Sequence, residues 1–123
     1  MYVDGFLMPV PKKNIAAYRK IARLAGKVWK EYGALDYVEC VADQLESKHE
    51  GKVMKSLFPK MAGTKAGETV VFSWITYKSK ADRNRVMKKV MADPRIAEMM
   101  DPKKMPFDMG RMGWGGFKPI VEA

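Results

Sequence analysis

The chain has 123 residues, about one domain, and its 47% hydrophobic and 30% charged content excludes a mostly disordered polypeptide. Lys and Arg number 23 against 14 Asp and Glu, a net charge of +9, which permits attraction to nucleic acid, anionic lipid or acidic ligands and establishes none of them. One cysteine and one histidine leave no internal disulfide and no Cys/His zinc cluster, and no apolar run approaches the ~20 residues that span a bilayer.

Residues 1–10 carry Asp4 and no basic leader, so they do not read as a signal peptide. Tyr2, Phe6, Met8 and Val10 alternate with Val3 and Leu7, which predicts a first strand over 2–10, ended by Pro9 and Pro11. Residues 14–32 predict an amphipathic helix. Ile15, Tyr18, Ile21, Ala22, Ala25, Val28, Trp29 and Tyr32 fall on one side, and Arg19, Lys20, Arg23, Lys27 and Lys30 on the other. Asn14 suits the N-cap and Gly33 the residue just past the helix end. The aromatic and methyl stripe reads as core, the basic stripe as a solvated face.

A second strand is expected over 35–45. Asp36, Glu39 and Asp43 put acids on it, the pattern of an exposed edge or of a site. Cys40 reads as a buried thiol, consistent with a cytoplasmic protein. Residues 46–68, with Gly51, Pro59, Gly63 and Gly67, read as a long connection. Val53, Met54, Leu57 and Phe58 are expected to pack its middle on the domain. His49 lies there as a solvated side chain.

Residues 68–77 are the least ambiguous strand. Val70, Phe72, Trp74 and Thr76 lie on one face, Val71, Ser73, Ile75 and Tyr77 on the other. Both faces are apolar, so both need cover, and Trp74 is expected to be buried. Ser79 and Asp82 form a capping box for a second helix with Val86, Val90 and Met91 inward. Asp93 and Pro94 stop that helix and start a short turn with Ile96, Met99 and Met100 facing the core. A Pro- and Met-rich loop (101–110) leads to a last, glycine-softened edge strand over 111–121. The order β-α-β-β-α-β is the ferredoxin-like arrangement, an α+β fold with an antiparallel sheet in one domain over 1–123.

No Gly-rich phosphate loop and no nucleophile elbow are readable. Cys40 and His49 sit on different kinds of element and do not form a nucleophilic pair. No metal or cofactor is expected. The RNA-binding RRM domain shares the element order, and Phe72 and Trp74 stand on the corresponding strand, but the Lys/Arg-Gly-aromatic-Gly start of its motif is missing.

Four segments carry a resemblance: residues 2–11 (YVDGFLMPVP), 33–41 (GALDYVECV), 68–83 with 91–95 (ETVVFSWITYKSKADR and MADPR), and 105–112 with 115–117 (MPFDMGRM and GGF). Together they resemble a small bacterial family, domain of unknown function 1428, whose members belong with the dimeric α/β-barrel proteins. The resemblance implies a ferredoxin-like fold and a homodimer pairing two sheets. It carries no reaction and no catalytic residue, since the larger group spans cofactor-free monooxygenases, haem-using enzymes, isomerases and dehalogenases. Trp114 stands where the family pattern has tyrosine, and residues 46–66 fit the pattern least.

Three functions compete: a small-molecule binding protein or enzyme with an aromatic-lined pocket, a basic nucleic-acid module using the 14–32 stripe, and a non-catalytic interaction protein. Candidate pocket groups are Tyr37, Glu39, Asp108, Arg111 and Trp114. Glu39 and Arg111 are the pair expected to meet, either to orient a polar ligand or as a structural ion pair.

Overall fold

The computed structural model describes residues 1–123. The strongly alternating first segment forms β1 (Tyr2–Pro11), and the long apolar run forms β5 (Glu68–Tyr77). They pair antiparallel over their whole length, Tyr2 opposite Tyr77 and Pro11 opposite Glu68. β2 (Asp36–Val41) flanks β5, and β6 (Gly113–Phe117) flanks β1, giving the order β2-β5-β1-β6. Pro9 does not end β1 as expected. β6 pairs only with Val3–Leu7, so at Pro9 the strand has one neighbour and a missing N–H is tolerated. β2 is shorter than expected because the chain leaves the ladder after Ala42, whose N–H still donates to the Val70 carbonyl at 2.9 Å. Both acid-bearing β2 and glycine-rich β6 are edge strands.

Helices α1 (Ile15–Glu31), α3 (Lys80–Met91) and α4 (Pro94–Met99) cover one face of the sheet. The parity of β5 that meets them is Val71, Ser73, Ile75 and Tyr77, matched on β1 by Met8, Phe6, Asp4 and Tyr2. Ser79 caps α3 by accepting from the Asp82 N–H at 3.0 Å, and Asp93 caps α4 by accepting from the Arg95 N–H at 2.8 Å. Asn14 does not cap α1. Its side-chain amide donates to the Pro106 carbonyl at 2.8 Å and ties the helix start to the 101–110 loop instead. Gly33 takes φ +120°, a backbone region that suits glycine. The buried residues fall into two clusters. Val28, Ile75, Tyr77, Val86, Val90 and Ile96 belong to one, and Met8, Val10, Tyr18, Ala22 and Val71 form the other, while half-buried Phe6 touches both.

The long connection differs most from expectation. It forms a β-hairpin, β3 (Glu46–His49) and β4 (Lys52–Lys55), followed by a one-turn helix α2 (Phe58–Met61). Glu50 and Gly51 both have positive φ, 51° and 77°, as a tight hairpin turn requires. The signal is weak in sequence because Glu-Gly replaces the usual Asn-Gly. All eight strand residues are exposed, and Val53, Met54 and Leu57 point to solvent rather than packing on the domain.

The other sheet face carries Val3, Leu7, Val38, Phe72, Trp74 and Phe117, and the one-turn helix α2 touches it only through Phe58 against Phe72. Phe72 and Phe117 are exposed. Trp74 is half-buried, not buried as expected. Its ring centroid lies 5.8 Å from that of Phe72, whose other neighbour is Phe58 at 6.0 Å. Cys40 lies on this face too and is exposed, because β2 is an edge strand facing away from the helices at that position. The core assigns the larger energies elsewhere. Ile96→Ala, at a 1% exposed site, is expected to destabilise by about 3 kcal/mol, and Ser79→Ala by about 1 kcal/mol, both read from urea denaturation midpoints.

Candidate functional site

The helices do not close down on the whole sheet. Between the two core clusters lies a cavity of about 460 Å³, bounded by the helix face of the sheet, α1, α3, α4 and residues 99–112. That volume is in the range of small-molecule sites. Strand register builds its floor. Glu39 of β2 lies opposite Ser73 of β5, Ser73 opposite Phe6 of β1, and Phe6 opposite Trp114 of β6. All four therefore point to the helix side in one row across the sheet. Most of the remaining lining is apolar and much of it is methionine, a side chain that adapts to irregular shapes.

Three polar features interrupt this surface. Glu39 Oε2 accepts from the Tyr18 hydroxyl at 2.6 Å and Oε1 from the Tyr37 hydroxyl at 2.9 Å. Tyr18 comes from the inward face of α1 and Tyr37 from the same strand as Glu39. Burial, then the Glu39 charge and the hydrogen bond to it, hold both phenols above their ordinary value. The Tyr37 ring reaches this position because Gly26 on α1 leaves room. A Cβ there would lie 2.8 Å from Tyr37 Cδ1. Asp4, 5% exposed, is held by Arg83, whose Nε lies 3.1 Å from both carboxylate oxygens. Arg83 also stacks on Tyr2 with its guanidinium carbon 5.2 Å from the ring centroid. The third feature is the Ser73 side chain, which belongs to a 4% exposed residue in the wall beside Glu39.

Ion pairs outside the lining hold the segments that flank it. A 3₁₀ turn (Met109–Arg111) sends the Arg111 guanidinium to Glu68, Nη1 to Oε2 at 2.7 Å and Nη2 to Oε1 at 2.8 Å, and to the Gly63 carbonyl at 2.7 Å. That guanidinium, with the Lys65 N–H, holds the Glu68 carboxyl down at about 2. Asp108 caps the same turn by accepting from the Gly110 N–H at 2.9 Å. At the other end, Tyr32 donates to Asp93 at 2.7 Å and Arg95 bridges Asp93 and Glu31. Of the residues expected at a site, Tyr37, Glu39 and Trp114 line the cavity, whereas Asp108 and Arg111 do not. Glu39 and Arg111 do not meet: Arg111 is committed to Glu68, and Glu39 to two tyrosines. Trp114 is at the edge of the sheet and 71% exposed.

A family model described as "Protein of unknown function (DUF1428)" matches residues 1–109. The chain belongs to this family. It is 43% identical over 121 residues to the Escherichia coli K12 protein described as "Uncharacterized protein YbaA", covering 98% of this chain and 97% of that one. A Shigella flexneri protein of the same description matches to the same degree. Among solved structures, a NIPSNAP domain protein from Burkholderia xenovorans aligns at a TM-score of 0.55 with 13% identity, over 100% of this chain and 98% of that one. Protein Atu4242 from Agrobacterium tumefaciens aligns at 0.54 with 17% identity, over 97% and 93%. At these identities the structural matches speak for the ferredoxin-like fold alone.

Sequence reasoning missed Tyr18, Ser73 and the Asp4–Arg83 pair. Tyr18 was absorbed into the helix stripe, although a phenol on an inward face needs a polar partner. Asp4 on the buried parity of β1 was the other available signal. Two expectations follow from the geometry. Native Tyr18 and Tyr37 keep protons that the unfolded chain releases from about pH 10 upward. Stability should therefore be fully present below that pH and fall above it. Urea titrations at about pH 9 and pH 11 check this, and Tyr18→Phe with Tyr37→Phe should make the fall shallower. Gly26→Ala gains up to about 1 kcal/mol of helix propensity but overpacks Tyr37 by about 1–3 kcal/mol. The net effect on the denaturation midpoint should be destabilising.

Proposed function

We propose that this protein binds an apolar small molecule carrying a hydrogen-bond donor, held in the cavity with the donor on Glu39. The observation that supports this is a carboxylate in an apolar wall whose two partners are neutral hydroxyls. A carboxylate has about four lone-pair sites, so two remain for a ligand. Asp4 has no such need, because Arg83 satisfies it. The lining contains no His, Cys or Lys, which favours binding over nucleophilic or Schiff-base chemistry.

The placement of charge argues against the nucleic-acid alternative. Arg19, Lys20, Arg23, Lys27 and Lys30 are exposed on the outer face of α1, while Phe72 and Trp74 lie on the opposite side of the sheet. Single-strand binding needs stacking rings and a basic groove together.

The reading includes a homodimer formed through the open sheet face. That face is apolar and covered by helix only where Phe58 of α2 meets Phe72, and the hairpin β3–β4 also leaves Val53 and Met54 exposed. A two-stranded hairpin alone is marginal in water, and a second copy of the chain offers cover to both. An interface of this kind buries roughly 2,000 Å² or more.

Two measurements check the proposal. In a thermal-shift screen of apolar metabolites with donor head groups, a true ligand at about one hundred times its Kd should add about 2.7 kcal/mol, on the order of 10 °C in Tm for a chain of this size. No stabiliser among such compounds would count against the cavity as a binding site. Light scattering at low micromolar concentration should give twice the 14.0 kDa chain mass, and a stable monomer would remove the dimer from the reading.

A further inference from the structure

We infer that the group placed on Glu39 is an ammonium, so that the ligand class is lipophilic amines. This rests on the cavity reading above and narrows it. The charges on the cavity wall are three: Asp4, Arg83 and Glu39. The first two neutralise each other at 3.1 Å. Glu39 forms no ion pair, and its hydrogen-bond partners carry no charge. Within an apolar wall a carboxylate without a counter-charge is costly. A neutral donor fills a lone pair and leaves the charge; a cation removes both deficits in one contact.

The rings around Glu39 point the same way. Tyr18 and Tyr37 flank it through their hydroxyls. Trp29 packs on Tyr37 with centroids 5.9 Å apart, and Phe107 meets Tyr18 edge-on at 5.5 Å. All four line the cavity. These rings keep the surroundings of Glu39 apolar, where a charge-assisted contact to the carboxylate is strongest. A carboxylate in such surroundings favours an ammonium over an alcohol and disfavours an anion. The chain's +9 charge opposes a cation only at long range. The basic stripe of α1 faces outward into water, about a helix diameter of 10 Å away, and its exposed charges are stabilised mainly by solvent and salt. It slows encounter with a cation and leaves the local preference to Glu39.

Phenylbutylamine, phenylbutanol and phenylbutanoate share one apolar body and differ in head-group charge. Calorimetric titration of each into the native protein at about 0.15 M salt should rank the amine tightest, about ten-fold or more ahead of the alcohol, and the acid weakest. Glu39→Gln keeps the shape and removes the charge, so the amine-to-alcohol ratio should fall to about one. Should that variant not fold, the ranking on the native protein decides by itself. An alcohol or acid that matches or beats the amine would overturn the ammonium assignment and leave the cavity reading standing. An amine preference that survives Glu39→Gln in a folded variant would overturn it as well. Absence of binding by all three would overturn both.

Discussion

A four-stranded sheet with two apolar faces calls for cover on both, and helices α1, α3 and α4 all lie on one of them. Most of the architecture answers to that constraint. Val71, Ile75 and Tyr77 on β5 meet α1, α3 and α4, while Phe72 and Trp74 on the same strand do not. Even the covered face is not filled. The core divides into two clusters with half-buried Phe6 between them, and the cavity occupies the division. Native interiors pack closely, and the apolar space of about 460 Å³ is where this fold departs from that rule.

Most ion pairs of the chain are arranged around this space, and of the charges on its wall Asp4 and Arg83 pair with each other. Arg111 binds Glu68 and the Gly63 carbonyl, Asn14 holds Pro106, and Asp93 gathers Tyr32 and Arg95. These contacts anchor both ends of the methionine-rich segment that walls the cavity, so the wall keeps its position although its side chains are soft. Inside, only Glu39 carries a charge without a counter-charge. Its two tyrosines fix the carboxylate's direction, which is what the proposed selection among head groups requires.

The fold was legible in sequence wherever periodicity and caps agreed. The stripe of α1, the Ser79 and Asp93 caps and the two-faced β5 each put local preference and packing on the same side. The β3–β4 hairpin was hidden because its turn is Glu50-Gly51 and its strands are too charged to show an apolar alternation. Half of the site could be read. Tyr37, Glu39 and Trp114 were visible as polar or aromatic residues on edge strands. Arg111 and Asp108 stood out as charged residues before the last strand, but Arg111 is taken by Glu68, 43 residues earlier, and Asp108 caps the turn at Gly110. Tyr18 and Ser73 were invisible as site residues because strand register and helix rotation, not spacing, bring them to Glu39.

The proposed binding site is the cavity between sheet and helices, and its lining carries its own reporters. Eight of the 11 methionines line it, and Met1, Met54 and Met61 do not, so the methionine methyl groups report on it directly. In a methyl NMR titration of carbon-13 methionine-labelled protein with phenylbutylamine, the cavity-lining methionines should shift and saturate together, with Met1, Met54 and Met61 unmoved. Shifts confined to Met54 and Met61, or no shifts at all at saturating amine, would contradict it.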